Sequence, residues 1–231
     1  MKLKMIIAML LTCSLMIAFA ACSDAPAEEK EDKNTKTTAT EKKVIEAETK
    51  TEEPTDEEIP VFEENPVVVV TMESGETFEM ELYPQYAPKT VANFVELVES
   101  GFYDGLTFHR VVDGFMAQGG DPEGTGMGGS DKKIKGEFAQ NGFTQNTLSH
   151  TRGVVSMARS GHPDSASSQF FICYDDASFL DGAYAAFGEV IEGMEVVDGF
   201  LDVERTANEM GEAATPVTPI VIKTMKMKKS A

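Results

Sequence analysis

The chain has 231 residues, of which 42% are hydrophobic, 8% aromatic and 26% charged, proportions typical of a globular protein with one ordinary domain or two small ones. The 39 acidic residues outnumber the 20 basic ones and give a formal net charge of −19, which repels phosphate backbones, so we expect no nucleic-acid partner. After the N-terminal segment no apolar stretch reaches the length of a membrane span, which argues against a polytopic membrane protein. Three cysteines are too few for a disulfide framework, and Cys173, in an apolar run, is expected to be a buried, inert thiol.

Residues 1–21 have the order of an export signal. Lys2 and Lys4 give a positive start, an apolar run follows, and two alanines precede Cys22. Small residues directly before a cysteine resemble the lipobox of bacterial lipoproteins, with Phe19 in place of the usual leucine. That resemblance implies cleavage before Cys22 and a diacylglyceryl group on its sulfur, so we expect an exported protein anchored by lipid to the outer face of the cytoplasmic membrane. An uncleaved membrane anchor is the alternative, which the shortness of the run disfavours.

Residues 22–65 differ in composition from everything after them. From residue 23 onward this segment carries 15 acidic and 6 basic residues and a single aromatic residue, Phe62. Such a segment cannot bury enough apolar surface to offset the entropy of ordering, so we expect a lipidated Cys22 followed by a disordered acidic linker. A folded domain is expected over residues 66–231.

The domain is predicted to consist of short strands and two helices. A β-branched run over residues 66–72 and an alternating run after it predict a hairpin, Pro88 begins a helical pattern that ends at Gly101, and a second helix is expected over residues 192–201. Further strands are expected at residues 107–112, 114–118, 153–158, 169–173, 185–190 and 218–227. Many short strands with two helices predict an antiparallel barrel or sandwich, because a doubly wound fold needs helices between most of its strands.

Familiar cofactor and metal chemistries are disfavoured by spacing. The glycines of residues 124–129 do not follow a strand and lack a Gly-Lys-Ser/Thr sequence, so they do not form a phosphate-binding loop. His109, His150 and His162 share no short ligand spacing, so we expect no metal site. Ser165 lies close to His162 in sequence, but the nucleophile elbow of a hydrolase is missing, which leaves a catalytic triad as a weak alternative.

One stretch of predicted strand mixes polar and apolar side chains in a way typical of a partly dry site. Alternation places Phe108, Arg110 and Val112 on one face of the first strand, and Met116 and Gln118 share a face of the next. An arginine among Phe and Met side chains is expensive to bury, which favours a functional role. The alternative is an arginine that faces solvent or pairs with a carboxylate.

A second region supplies further apolar residues, Phe171, Leu180 and Tyr184, which composition alone would assign to the core. The strings F-H-R-V-V-D-G-F-M-A-Q-G-G-D, S-Q-F-F-I-C and F-L-D-G make the chain resemble the cyclophilins, a family of peptidyl-prolyl cis–trans isomerases. The resemblance covers nearly all of residues 66–231 and, with the signal, is that of a surface-anchored bacterial cyclophilin. It implies a fold dominated by β-structure, a closed eight-stranded antiparallel barrel capped by two α-helices.

The resemblance also implies the site. Arg110, Phe115 and Gln118 correspond to catalytic positions of the family. The implied peptide-binding positions are Met116, Gly124, Thr125, Gly126, Ala158, Arg159, Ser160, Gln169, Phe171, Phe179, Leu180 and Tyr184. The chain departs from the family pattern at three of them: Phe179 replaces a frequent tryptophan linked to cyclosporin binding, Tyr184 a common histidine, and Arg159 a common asparagine.

The implied activity is acceleration of X–Pro bond rotation in proline-containing segments of exported proteins, without a covalent intermediate, a metal or another cofactor. We expect the protein to act as a monomer. Two alternatives remain open. One is a non-catalytic module or chaperone that grips proline-containing segments on the same fold, and the other is a solute-binding lipoprotein, which would need two α/β lobes.

Overall fold

The computed structural model of the chain describes residues 60–208 and 211–229. The predicted signal, the predicted lipidation site Cys22 and the linker up to residue 59 lie outside the described residues. Among the residues described, no helix has the length and apolar character needed to cross a membrane.

Eight antiparallel strands close into a barrel, as expected, and two further strands form a hairpin beside it. In spatial order the barrel runs β1, β10, β3, β4, β6, β5, β7 and β2, while β8 and β9 form a separate two-stranded sheet. The strands are β1 Val67–Met72, β2 Thr77–Leu82, β3 Thr107–Val112, β4 Met116–Asp121, β5 Val154–Met157, β6 Phe170–Cys173, β7 Ala186–Glu192, β8 Arg205–Ala207, β9 Ala213–Pro216 and β10 Ile220–Met227. A barrel of this kind excludes the two α/β lobes of a solute-binding protein.

Two α-helices accompany the barrel. α1 spans Pro88–Glu99 and turns Val91, Phe94 and Val98 into the core, as its periodicity predicts. No side chain next to it in sequence caps its first turn; the buried carboxylate of Glu137 instead accepts hydrogen bonds from the backbone N–H groups of the helix start. α2 covers only Met194–Asp198, because the end of the predicted second helix tightens into a 3₁₀ turn.

Alternation along the strands sorts the apolar residues into two separate clusters. Along β6, Phe170 and Ile172 belong to the large core inside the barrel, whereas Phe171 and Cys173 belong to a smaller cluster on the other face of the sheet. Inside the barrel the ring of Phe170 lies 5.4 Å from that of Phe94 and 5.7 Å from that of Phe108, both edge-to-face. Burying each of these rings contributes about 1.5–3 kcal/mol, so the aromatic core is a main source of stability.

An irregularity in β3 changes which of its side chains share a face, compared with the prediction from alternation. The pairing of β3 with β4 shifts register between Phe108 and Arg110, and this bulge separates the two side chains. Phe108 points into the barrel core with Val111, while Val112 packs with the outer cluster and Arg110 is half-buried. The expectation that Phe108 shares a face with Arg110 is therefore wrong, because a bulge resets the alternation.

The start of β4 and the start of the folded domain also differ from their predicted positions. β4 begins at Met116, two residues later than expected, because Gly114 adopts a φ of 67° in the turn before it. Phe62, placed in the linker by composition, is partly buried against the core, so the packed body begins a few residues before the predicted boundary.

Candidate active site

The smaller apolar cluster lies on the outer face of the sheet, and we call it the slot. Its buried members are Met116, Phe171, Cys173, Ala177 and Leu180, and its partly buried members are Val112, Phe115, Ala158 and Tyr184. Neighbouring strands β4 and β6 supply the floor, because their alternate side chains point away from the barrel core. The expected apolar positions therefore come together although they are spread over about seventy residues of the chain.

Arg110 lies at the rim of this slot. Its Cζ is 5.8 Å from the centroid of the Phe115 ring, and its Nη1 donates to Oε1 of Gln118 at 3.3 Å. Nε and Nη2 donate to the carboxylate of Glu212, so Arg110 also makes the ion pair that the alternative interpretation expected. Within the described residues, acceptors are found for three of the five guanidinium N–H groups, and the other two remain for a ligand.

A chain of side-chain amides continues from Arg110 along the sheet. Gln118 Nε2 donates to Oε1 of Gln169 at 2.8 Å, and Gln169 Nε2 donates to the backbone carbonyls of Gly126 at 3.0 Å and Gly128 at 2.7 Å. The predicted residues Gln118 and Gln169 are thus joined to the predicted glycine loop. Hydrogen bonds hold each amide in one orientation, so Gln118 and Gln169 form a polar wall whose donors and acceptors have fixed positions.

Asp121, the last residue of the string F-H-R-V-V-D-G-F-M-A-Q-G-G-D, holds the glycine loop. Its Oδ2 accepts from the backbone N–H groups of Thr125 and Gly126 at 2.9 and 2.6 Å, and its Oδ1 accepts from that of Glu123. Burial is the largest influence on the pKa of Asp121 and raises it, but the backbone hydrogen bonds together outweigh burial, so the pKa is lowered. The carboxylate is therefore charged at neutral pH and orders residues 123–128.

The other end of the slot is bounded by aromatic rings. The Tyr184 ring meets Phe171 edge-to-face at 6.0 Å, and the Cζ of Arg159 stacks over Tyr184 at 4.6 Å. Arg159 is fixed there because its Nε and Nη2 both donate to the carbonyl of Ala183. Phe179 is 72% exposed and lies 5.7 Å from Phe115, so it stands at the rim and not in the slot.

An open groove adjoins the slot beside the amide chain. Its cavity volume is about 330 Å³, and its lining includes Gln118, Gly126, Ala158, Arg159, Ser160 and Gln169. Ala158 donates its backbone N–H to the carbonyl of Gln169, whereas the N–H of Ser160 is taken by Ser165 Oγ. The predicted edge formed by residues 158–160 therefore does line the groove, but the backbone N–H groups of Ala158 and Ser160 both already have acceptors within the protein.

The three histidines lie in three different environments. His150 is buried and joins Asp181 to Ser156, and burial, opposed by Asp181, lowers its pKa. His162 is exposed, and both ring nitrogens of His109 are buried without a hydrogen-bond partner among the described residues. Over residues 60–208 and 211–229, no group of three or more His, Cys, Asp or Glu side chains could hold a metal ion. Ser165 Oγ donates to the His162 carbonyl and not to its ring, so no hydrolase relay forms there.

Comparison with known proteins decides the family. A family model described as cyclophilin type peptidyl-prolyl cis-trans isomerase/CLD matches residues 67–227. The chain belongs to this family. It is 49% identical over 124 residues to peptidyl-prolyl cis-trans isomerase B of Bacillus subtilis, which covers 54% of this chain and 82% of the relative. Peptidyl-prolyl cis-trans isomerase A of Dickeya dadantii is 43% identical over 165 residues, or 69% of this chain and 83% of the relative.

The barrel of this cyclophilin also matches solved structures. A crystal structure of a Cryptosporidium parvum cyclophilin type peptidyl-prolyl cis-trans isomerase has a TM-score of 0.62 at 31% identity and covers 72% of this chain and 99% of its own. A second structure of that protein, in the presence of the dipeptide Ala-Pro, has a TM-score of 0.61. The expected fold is confirmed, and the domain is a peptidyl-prolyl cis–trans isomerase that binds proline-containing peptides.

Sequence reasoning missed Glu212 as a neighbour of Arg110. The two residues are 102 positions apart, and Glu212 directly precedes β9, a strand that the sequence patterns do not predict. Acidic residues are common throughout this chain, so no local signal distinguishes this one. Only the folded cyclophilin barrel brings its carboxylate to the site.

Proposed function

We propose that Arg110 is the catalytic hydrogen-bond donor of this isomerase and that the apolar slot holds the proline ring. The observation that carries the proposal is the position of the guanidinium, over Phe115 at the slot rim with two N–H groups left for a ligand. Gln118, bonded to both Arg110 and Gln169, is assigned to the substrate backbone. Met116, Phe171 and Leu180 are assigned to the pyrrolidine ring.

The chemistry follows from amide resonance. Rotation about a peptide bond has a barrier of about 18–20 kcal/mol, and an X–Pro bond exchanges between two populated isomers in tens to hundreds of seconds. In the twisted state the proline nitrogen loses conjugation and acquires a basic lone pair. A donor aimed at that nitrogen stabilises the twisted state more than either planar state, and this difference accelerates rotation. Arginine suits the role because it stays charged and carries several N–H groups.

The slot contributes by holding one side of the bond while the other turns. Leu180 and Phe171, 9% and 5% exposed, form a dry surface for the pyrrolidine ring, and the adjoining groove has room for the residues before proline. Excluding water also strengthens the hydrogen bond that Arg110 donates. The related Cryptosporidium parvum structure determined in the presence of Ala-Pro supports a substrate of this class.

The test of the catalytic assignment is Arg110→Ala. A charged hydrogen bond of about 3 kcal/mol corresponds to about a hundredfold in rate, so we expect kcat/KM for an X–Pro peptide to fall by about two orders of magnitude. Arg152→Ala is the matched control, because Arg152 donates to Asp198 and to the carbonyl of Tyr174, neither of which belongs to the slot. Near-native activity of Arg110→Ala would show that the assigned role is wrong.

The main alternative is a module that binds proline-containing segments without turning them. Gripping the ring requires only the apolar slot, whereas the position of Arg110 over Phe115 adds a donor that binding does not need. NMR exchange spectroscopy on an X–Pro peptide separates the two, because only an isomerase produces exchange cross-peaks between the cis and trans signals at substoichiometric protein. Their absence would favour the binding module.

We further propose that the chain is an exported lipoprotein whose isomerase domain acts on exported proteins at the outer face of the cytoplasmic membrane, where it assists their folding. The support is the signal-like order of residues 1–21 and the alanine pair before Cys22. Two acyl chains on this cysteine would anchor the protein stably, since each buried methylene contributes about 0.8 kcal/mol. Residues 23–65, with 15 acidic and 6 basic residues, fit a solvated spacer between the membrane and the domain.

Cys22→Ser tests the anchor. We expect the variant to lose the lipid and to leave the membrane fraction, with its isomerase activity intact. Cys13→Ser, earlier in the apolar run, is the control that keeps membrane association. Retention of Cys22→Ser in the membrane after carbonate extraction would instead support an uncleaved anchor.

A further inference from the structure

Arg110 makes a two-pronged ion pair with a residue from outside the expected site. Its Nε donates to Oε2 of Glu212 at 2.8 Å, and its Nη2 donates to Oε1 at 3.1 Å. Two parallel hydrogen bonds fix the plane of a guanidinium, which a single bond leaves free to rotate. The two side chains are 27% and 31% exposed, so the pair adds little to folding stability. What the pair does determine is the direction in which the arginine points.

Glu212 is itself held in place by the hairpin of β8 and β9. Asn208 donates from its side-chain amide to Oε2 of Glu212 at 3.1 Å, and the backbone N–H of Glu212 donates to Asn208 Oδ1 at 2.9 Å. The backbone N–H of Asn208 also donates to the carbonyl of Glu212. The hairpin lies against β3, the strand that carries Arg110. The carboxylate is therefore presented to the guanidinium from a fixed support.

The ion pair decides which edge of the guanidinium is left for substrate. Glu212 occupies the edge formed by Nε and Nη2, so Nη1, which bonds Gln118, is on the side of the amide chain. Arg110 is the largest influence on the carboxyl of Glu212 and lowers its pKa, so this partner is charged at neutral pH. A lone, half-buried arginine with several rotatable bonds would otherwise sample many orientations over Phe115.

We propose that Glu212 is a positioning residue for catalysis, holding the guanidinium of Arg110 so that its remaining N–H groups face the prolyl bond. The inference rests on the proposed catalytic role of Arg110. Among the described residues, the carboxylate of Glu212 is bonded to Arg110 and Asn208 and to no residue of the slot or the amide chain, so it acts through the arginine. Preorganising a donor removes the need to order it during the reaction, and small misplacements of a catalytic group reduce rates steeply.

The test is a double-mutant cycle in the full-length chain. Glu212→Gln removes the charge and one acceptor, and we expect kcat for an Ala-Pro peptide to fall about tenfold, with KM changed by less than about twofold. Glu212→Asp keeps the carboxylate on a shorter side chain and should recover part of kcat. Glu204→Gln is the matched control, since Glu204 is an exposed glutamate at the base of the same hairpin and should leave kcat unchanged.

Combining Glu212→Gln with Arg110→Ala distinguishes a positioning role of Glu212 from a general effect on the structure. In Arg110→Ala, Glu212→Gln should cause no further loss, because there is no guanidinium left to orient. A tenfold loss there as well would overturn the proposal, as would an unchanged or increased kcat for Glu212→Gln with Arg110 present. If Arg110→Ala alone retains native activity, the catalytic assignment of Arg110 is wrong. If Arg110→Ala is inactive and Glu212→Gln is fully active, only the positioning role of Glu212 is wrong.

A spectroscopic measurement gives an independent reading of the same contact. The Nε–Hε signal of Arg110 should be protected from solvent exchange in the native chain, since its proton is donated to Glu212 at 2.8 Å. We expect faster exchange in Glu212→Gln and native exchange in Glu204→Gln. Equal exchange in all three proteins would contradict an orienting role for Glu212.

Discussion

At the scale of single residues, Arg110 combines two arrangements that the sequence presented as alternatives. It pairs with a carboxylate, as most arginines do, and it also lies over Phe115 beside Gln118. The two are compatible because a guanidinium has two edges and five N–H groups. An ion pair at an arginine therefore does not by itself argue against a functional role. What matters is which N–H groups of the guanidinium remain available to a ligand.

Cys173 provides a prediction at this scale. Burial, with a smaller influence from Asp181, raises the pKa of its thiol to about 12. At pH 8 only about one molecule in ten thousand would then carry the reactive thiolate, against roughly a quarter for a thiol of ordinary pKa 8.5. We expect Cys173 to resist iodoacetamide in the native chain for hours and to react within minutes in urea, as measured by peptide mapping. Equal rates in both states would contradict a buried, inert thiol.

At the scale of elements, the strands that are clearest in the sequence are those with strict alternation or β-branched runs. β3 occupies residues 107–112, the predicted span, whereas the short hairpin of β8 and β9 matches no predicted strand. β5 and β6 are also short, but they consist mostly of β-branched and aromatic residues, whereas R-T-A in β8 and A-A-T-P in β9 have few such residues. β8 and β9 form because they pair with each other and because β9 lies against β3.

Gly120 in β4 tests how tightly the elements pack. At a φ of +83°, a Cβ there would lie 2.5 Å from the carbonyl oxygen of Ser168, while Gly75, at +91° in the first hairpin, has nothing within 4 Å. Gly75→Ala adds only the strain of a left-handed conformation, about 1–2 kcal/mol, and Gly120→Ala should lose about 1–3 kcal/mol more by overpacking. Urea unfolding measures both, and equal losses would show that the strand relaxes around the added methyl group.

At the scale of the whole molecule, stability should depend on pH through groups whose pKa differs between the folded and unfolded chain. Burial lowers the pKa of His150, so below about pH 6.5 the unfolded chain binds a proton that the folded one does not. The contribution of His150 to stability is therefore fully present above that pH and is lost as the pH drops, by at most about 1.4 kcal/mol per pH unit. Below about pH 4, protonation of Asp121, whose folded pKa is also lowered, should remove further stability.

The matched pair His150→Gln and His162→Gln checks this pH dependence. His150 is buried between Asp181 and Ser156, whereas His162 is exposed. We expect the decrease in unfolding free energy between pH 7 and pH 5 to become shallower in His150→Gln and to stay as in the parent in His162→Gln. A parent-like slope in His150→Gln would mean that another group binds the proton.

The amino-acid sequence by itself determined the class of the fold and most strand positions, and the resemblance to the cyclophilins named the apolar residues that the fold brings together in the slot. Alternating and β-branched runs are local patterns, and strings such as S-Q-F-F-I-C keep neighbouring site residues together in the chain. These patterns can be recognised without knowledge of the fold, because each depends on residues that are close in sequence.

Only the tertiary structure decided which side chains face each other across the chain. The bulge between Phe108 and Arg110 arises from pairing with β4, Glu137 caps α1 from 48 residues away, and Glu212 reaches Arg110 across 102 residues. Each of these depends on how one segment pairs with or contacts another, which no local pattern in the sequence records. Such contacts form when the barrel closes, because burial then requires each polar group to find a partner.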